Sequence, residues 1–508
     1  MIAVLLALAS GVVLAAALPP EGLWPLVLVL ALPFALTALA ERPADAFSVG
    51  AALGLGFFGV YIVWLPLSFS DPGFLGPFFW LLHPVLLVVL ALMWGLTTWA
   101  ARLVGGRGAL TAWLLAPTWV LVEWARGQGY FAFPWGTLGY AWTDTPLAQA
   151  ASLVGVHGLS LTVTVAAAAL ATPFLRTEAR TRRGAPAWLS ALPALVVLAL
   201  LGALWWWGAG ELRRELGPLQ ATALLVQPNV DPFGRATSAA QELETHLTIT
   251  ELGVSAMAAA PDLVLWPEGA LTGYDPQAAG GEALVARIQA ASPGSTFVIG
   301  GRGRDAGRSF NSAFVLEGGA LLGRYDKHVL VPFGERWPLI ETLEGVYRGV
   351  FAALNLPMLV STSPGPGPVP LASRLGPLAT AICYESVIPA VSARMVADGA
   401  RVLLVITNDA WFARGNGARQ HLDMGRLRAI ETRRFVLRAA NDGITGAIDP
   451  YGRLLVEYPR FTAGHLAVRV GLRDEITPFV RHGHLTPWLL VAATALLAGA
   501  AGARRLAS

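Results

Sequence analysis

The sequence predicts a two-part protein: a multi-pass α-helical membrane domain of about eight transmembrane helices, joined to a water-facing α/β domain. Three observations carry this. The 508-residue chain is 55% hydrophobic and only 14% charged, whereas soluble domains carry closer to a quarter charged residues. The apolar excess is concentrated in residues 1–208 and 486–503, while 211–482 holds most of the Asp, Glu, Lys and Arg. Within that polar stretch, β-rich apolar runs alternate with helix-spaced segments, the pattern of a layered α/β fold. The expected divisions are 1–210, a membrane domain of seven helices; 211–482, the water-facing domain; and 483–508, a last helix with its tail. The net charge of +3 forms no continuous basic patch, which argues against nucleic acid as a partner.

The first apolar run, Ile2 to Leu18, is long enough to span. Its start lacks Lys and Arg and more spans follow, so it reads as a retained helix rather than a signal peptide. Further spans are expected at 23–40, 47–67, 76–101, 109–122, 147–175, 188–207 and 487–501. With Met1 inside, Arg42, Arg102, Arg107, the Arg176–Arg183 cluster and Arg504–Arg505 all fall on the cytoplasmic side. The loops at 19–22 and 70–75 carry no Lys or Arg. This is the positive-inside pattern, with Arg126 the exception, and it places 211–485 outside the membrane. The connector from Glu123 to Thr145 is rich in aromatics, including Phe133 and Trp135. It reads either as an interfacial belt or as a loop guiding acyl chains, with Arg126 meeting a lipid phosphate.

In the polar part, strands are expected at 221–226, 262–266, 296–300, 313–317, 321–325, 378–383 and 402–408, with a hairpin across 444–457. Helices are expected at 243–260, 283–291, 388–397 and 422–438. Residues 331–350 (in part) and Pro364 to Pro368 read as loops or a lid. Three expected strands end in groups capable of chemistry. Glu268 follows Leu265-Trp266-Pro267, Lys327 follows Gly323-Arg324-Tyr325-Asp326, and Cys383, the only cysteine, follows Ala379-Thr380-Ala381-Ile382. One cysteine excludes an internal disulfide and makes an ordinary zinc site untenable. Taken singly, these are an inert thiol, a cap partner and a surface lysine. Together they supply acyl transfer: a carboxylate to take the thiol proton, a thiolate to attack a carbonyl, and an ammonium to stabilise the oxyanion.

Trp266-Pro267-Glu268, Tyr325-Asp326-Lys327-His328 running to Pro332-Phe333-Gly334-Glu335, and Ile382-Cys383-Tyr384-Glu385 resemble the Glu–Lys–Cys triad of the nitrilase superfamily. Thr407-Asn408-Asp409-Ala410-Trp411-Phe412, Gln420-His421 and Phe133-Pro134-Trp135 extend the likeness. With membrane spans on both sides, the chain resembles the apolipoprotein N-acyltransferase family within it. The resemblance implies a nitrilase-like αββα sandwich, with Cys383 as nucleophile, Glu268 as base and Lys327 as oxyanion stabiliser. It gives Glu335 a supporting role, lets Tyr384 and Glu385 flank the nucleophile, and puts Trp411 and Phe412 at the mouth of an acyl pocket. It further implies a monomer of the bacterial cytoplasmic (inner) membrane that needs no cofactor or metal. Its partners would be membrane lipids: a phospholipid acyl donor and a diacylglyceryl-apolipoprotein acceptor. Two places depart from the family pattern: Gly269-Ala270-Leu271 after Glu268, and Asp231-Pro232-Phe233 after Gln227-Pro228-Asn229. The competing readings are a membrane-tethered amidase or nitrilase, which would not need seven preceding spans, and a transporter. Against transport, His83 stands nearly alone as an ionisable residue in its span.

Overall fold

The computed structural model describes residues 1–68, 76–175, 187–231, 238–354 and 362–506. The outer loop 70–75, the Arg176–Arg183 cluster and Pro232-Phe233 lie outside the described residues. The chain divides into two compact units, one of residues 1–67, 76–213 and 482–508, the other built on 214–481.

The first unit is helical: α1 Ile2–Ala15, α2 Ala31–Leu39, α3 Pro43–Tyr61, α4 Gly76–Gly105, α5 Ala109–Arg126, α6 Ala151–Ala171 and α7 Leu192–Glu211. Among the described residues, five segments are helical, long and apolar enough to cross a membrane: Pro43–Tyr61, Trp80–Gly105, Pro146–Phe174, Leu192–Glu211 and Pro478–Leu506. Ile2–Ala15 and Trp24–Leu39 are shorter, and the latter begins as a 3-10 turn over Trp24–Leu30. Small residues bring α1 and α3 together: a Cβ on Gly11 would lie 2.2 Å from the Leu53 carbonyl oxygen, and one on Gly56 2.1 Å from that of Leu8. The expected connector from Glu123 begins later than the sequence suggests, because α5 continues to Arg126 and ends at Gly127. Buried Glu123 then holds the returning chain by accepting the Leu138 N–H at 3.1 Å and the Trp119 indole N–H at 3.3 Å.

The second unit holds two sheets. β1 (Ala221–Gln227), β2 (Leu263–Leu265), β3 (Thr296–Asp305), β4 (Arg308–Glu317), β5 (Ala320–Asp326) and β11 (Gly464–Val470) form one, in the order β11-β1-β2-β3-β4-β5. β6 (Leu378–Ile382), β7 (Val402–Thr407), β8 (Val436–Ala440), β9 (Thr445–Ile448) and β10 (Leu454–Tyr458) form the other, in the order β10-β9-β8-β7-β6. The centres are parallel, β1-β2-β3 and β6-β7-β8, and the flanking strands antiparallel. Alternation sorts the side chains of the first sheet. Leu224, Val226, Val264, Trp266, Phe297, Ile299, Phe314 and Leu316 pack with Leu243, Leu247 and Ile249 of α8 (Ala239–Ser255) and with Val285 and Ile288 of α9 (Gly281–Ala290). The alternate set is equally buried, and β1 packs on β8 and β9, β4 on β6. α11 (Pro389–Ala397) packs on β6 and α12 (Gly417–Thr432) on β8, so the layers run helix, sheet, sheet, helix. Ser238 starts α8 with a reciprocal cap: its hydroxyl accepts the Gln241 N–H at 3.3 Å and its own N–H donates to the Gln241 side chain at 2.8 Å.

One expectation is corrected. The helix read through residue 438 ends at Thr432, because Arg433 takes φ +53°, and the chain re-enters the sheet as β8, buried throughout and parallel to β7. Part of 331–350 is the expected loop, running to Leu339. After the turn bearing Glu335 the chain forms α10 (Ile340–Ala353), pinned by Trp337 against Tyr347 and Phe351 at ring distances of 5.3 and 4.9 Å. Pro364–Pro368 is irregular backbone, as expected of a loop, with the Gly365 N–H donating to the Lys327 carbonyl at 2.8 Å. The sequence reading also stopped short of β11.

Candidate active site

The groups gather where strands end, the place where parallel α/β sheets present residues to ligands. Lys327 follows β5 directly, Cys383 follows β6 directly, Glu268 lies three residues beyond β2, and Asn408 follows β7. β3 lets the Glu268 segment lie close, since Gly300 has no side chain: a Cβ there would stand 2.3 Å from the Pro267 carbonyl oxygen and 2.6 Å from the Glu268 Cα.

Lys327 is 1% exposed and sits between two carboxylates, its Nζ 2.8 Å from Glu335 Oε2 and 3.5 Å from Glu268 Oε1. Each carboxylate is held independently. Glu268 Oε2 accepts the Asn408 N–H at 2.9 Å, and Glu335 Oε2 accepts the Val331 N–H at 3.0 Å. The Asn311 amide joins the pair, donating to Oε1 of Glu268 and Oε1 of Glu335 at 2.7 Å each. The Lys327 N–H in turn donates to the Asn311 carbonyl at 2.8 Å. Burial works against a charged Lys327, but Glu335 and Glu268 outweigh it and hold the ammonium above its usual range.

Cys383 is half-buried and takes φ +52°. A non-glycine residue in that conformation costs about 1–3 kcal/mol and persists only where its surroundings enforce it. Burial pushes the thiol above its ordinary value, the Glu268 charge adds to the push, and Lys327 and the Thr407 hydroxyl pull back. The sulfur therefore rests as a thiol within the electrostatic reach of both proposed partners.

Glu385 clamps the elbow. Its Oε1 accepts from the Tyr325 hydroxyl at 2.7 Å, the His328 N–H at 2.7 Å and the Val329 N–H at 3.1 Å, and its Oε2 accepts the Ile382 N–H at 2.9 Å. One side chain thus ties the segment after Lys327 to the residue before Cys383. Burial raises the Glu385 carboxyl, against the pull of the Ile382 N–H and the Tyr325 hydroxyl. Burial and the neighbouring carboxylate keep Tyr325 protonated and donating.

The structure thus brings Glu268, Lys327, Glu335, Cys383 and Glu385 together. Tyr384 is buried in the turn that begins at Cys383. Trp411 and Phe412 lie half-buried on the short turn after β7, where the Phe412 ring packs edge-on to His421 at 5.8 Å. Phe133, Trp135 and Arg126 belong to the helical unit. Trp135 is 2% exposed, stacked on half-buried Phe133 at 5.6 Å and packed against Trp64 at 5.8 Å. Arg126 is buried, with its guanidinium 5.3 Å from the Phe58 ring centre. Asn311 was missed in the sequence. Among the described residues no group of three or more His, Cys, Asp or Glu is arranged to hold a metal.

Residues 223–474 match the carbon-nitrogen hydrolase family model, and residues 10–169 match that of the apolipoprotein N-acyltransferase N-terminal domain. The chain thus contains a nitrilase-like α/β domain and a unit of long apolar helices. The apolipoprotein N-acyltransferase of Pseudomonas putida is 34% identical, over 97% of this chain and 95% of its own. That of Geobacter metallireducens is 32% identical, over 99% and 95%. The chain belongs to the apolipoprotein N-acyltransferase family, and it is an acyltransferase.

Proposed function

We propose that this enzyme moves an acyl chain from a membrane phospholipid to the α-amine of the S-diacylglyceryl cysteine at the start of an apolipoprotein, by way of a thioester on Cys383. The observation that carries the reading is Lys327 held between Glu268 and Glu335 at the strand ends that also present Cys383. Glu268 takes the thiol proton as the sulfur attacks the ester carbonyl of the phospholipid. Lys327 faces the oxyanion that forms, where a fixed charge in a water-poor site is most effective. Collapse breaks the ester C–O bond, and Glu268 returns its proton to the departing lysophospholipid oxygen. The acceptor amine then attacks the thioester and gives up a proton to Glu268. The C–S bond breaks as the amide forms, and the thiol recovers the proton.

Glu335, Tyr384 and Glu385 hold this arrangement, with the Tyr384 N–H as a second oxyanion donor. Trp411 and Phe412 line the acyl entrance. In the helical unit, Phe133, supported by Trp135, shapes the path of the lipid chain, and Arg126 attends its phosphate. The arginine distribution supports a catalytic unit on the outer face of the cytoplasmic membrane, where both lipid-anchored substrates would be met.

Mass spectrometry of lipoprotein N-termini tests the reading. Deleting the gene removes one N-linked acyl group, and supplying the Cys383→Ala protein does not restore it. Unchanged N-termini on deletion refute the proposal. Initial rates against both substrates give parallel lines, the mark of a substituted enzyme; intersecting lines exclude it.

A further inference from the structure

We propose that His421 is a positioning residue for the nucleophile, holding the strained Cys383 elbow through its backbone carbonyl. This rests on the reading that Cys383 carries the acyl group. The Cys383 carbonyl oxygen accepts the Ser386 hydroxyl at 2.8 Å and lies 3.0 Å from His421 Nε2, which is itself 2.8 Å from Ser386 Oγ. On its other edge the ring is fixed as firmly. His421 Nδ1 is 3.0 Å from Asp409 Oδ1 and 3.1 Å from Arg438 Nη2. Arg438 donates to Asp409 Oδ2 at 2.6 Å, and the Thr407 hydroxyl donates to Asp409 Oδ1 at 3.0 Å.

His421, Asp409, Arg438 and Thr407 are each at most 1% exposed. Sealed from solvent, they act through other residues rather than on substrate. They come from α12, the turn after β7, the middle of β8 and the end of β7, while Cys383 follows β6. Three neighbouring elements of the fold therefore converge on one carbonyl. Apolar side chains would fill this space without the desolvation that a buried charge demands, so the network's geometry is its distinctive contribution. The left-handed φ at Cys383 needs such enforcement.

The test uses the full-length, detergent-solubilised protein with two readouts: formation of the Cys383 acyl adduct on adding phospholipid micelles, and alkylation of Cys383 by iodoacetamide from neutral to alkaline pH. Replacing His421 by alanine lowers the adduct-forming rate about 10- to 100-fold, the effect of one lost buried hydrogen bond expressed in a rate. It also moves the alkylation profile toward that of a free thiol, because the sulfur leaves Lys327. His421→Gln, whose amide can still donate to the carbonyl, recovers most of both. An alanine variant that matches wild type in both readouts overturns the proposal, as does a folded glutamine variant as impaired as the alanine one. Should the alanine protein not fold, the glutamine variant decides alone: near-wild-type behaviour supports the proposal, and a loss of 10-fold or more overturns it. Absence of any adduct in wild type refutes the acyl-enzyme reading, while the alkylation profiles still judge the positioning role.

Discussion

Replacing Glu385 by glutamine tests the clamp between the two halves of the site. The carboxylate receives four donors, three on Oε1 and one on Oε2. Glutamine must turn its NH2 toward one side. The better orientation keeps the oxygen on Tyr325, His328 and Val329 and points the NH2 at the Ile382 N–H, setting donor against donor. That leaves one buried N–H unsatisfied, at about 1–3 kcal/mol, and reduces three charge-assisted bonds to neutral ones, at about 0.5–1 kcal/mol each. Removing a buried charge returns part of this, so the expected net loss is about 3 kcal/mol. For a unit of this size that lowers the melting midpoint by about 6–12 °C. The orphaned N–H belongs to the residue before Cys383, so acyl-adduct formation falls at temperatures well below the new midpoint. Melting in detergent, followed by tryptophan fluorescence, and single-turnover acylation measure the two effects. A Glu385→Gln protein that melts within a degree or two of wild type and acylates at the wild-type rate refutes the clamp.

Two further outcomes follow from packing and burial. Gly300→Ala drives a methyl group into the backbone that carries Glu268; circular dichroism stays native while single-turnover acylation falls about 100-fold, the scale of a displacement near 1 Å. His246 is buried against Trp266 at a ring distance of 4.9 Å, and burial pulls its imidazole down to about 4 despite the Glu242 carbonyl. A folded value below the unfolded 6.5 means that the neutral ring stabilises the fold fully above pH 6.5 and that this is lost as pH falls toward 4, by about 3 kcal/mol. His246→Leu therefore melts with a flatter dependence across that window, and a dependence equal to that of wild type counts against the assignment.

Much of the site is legible because its residues follow apolar strands. Trp266, Tyr325 and Ile382 are buried on strands or at their ends, and the polar residue next in line has nowhere to go but the strand mouth. Helices and strands went wrong where tertiary structure overrides local pattern. Leu422 to Arg438 carries continuous helical spacing, yet a left-handed Arg433 divides it, and Val436 to Ala440 is worth more as a central strand hydrogen-bonded to β7 and β9. α12 misleads for the opposite reason: it is polar by sequence and buried by packing, its charges answered by one another, as in Arg428 with Glu431 at 2.7 Å and Arg426 with Asp423 at 3.0 Å. Asn311 escaped notice because its partners lie 43 and 24 residues away, and no local pattern announces a side chain whose purpose is to join two distant carboxylates.

The charge arrangement constrains how the proposed reaction can run. One ammonium serves two carboxylates, so the cluster is already negative before the sulfur ionises. A standing thiolate would add a second uncompensated charge in a water-poor site, and the raised Cys383 value reflects that cost. In the proposed reaction the proton leaves the sulfur as negative charge moves out onto the acyl oxygen facing Lys327, and Glu268, neutralised by that proton, relieves the cluster in the same step. This differs from sites that keep a ready thiolate beside a cation. Removing the positive charge with Lys327→Met should then slow acylation far more than it slows alkylation by a neutral reagent at alkaline pH, where hydroxide takes the proton instead of Glu268. Equal losses in the two reactions would mean that Lys327 serves the thiolate rather than the oxyanion.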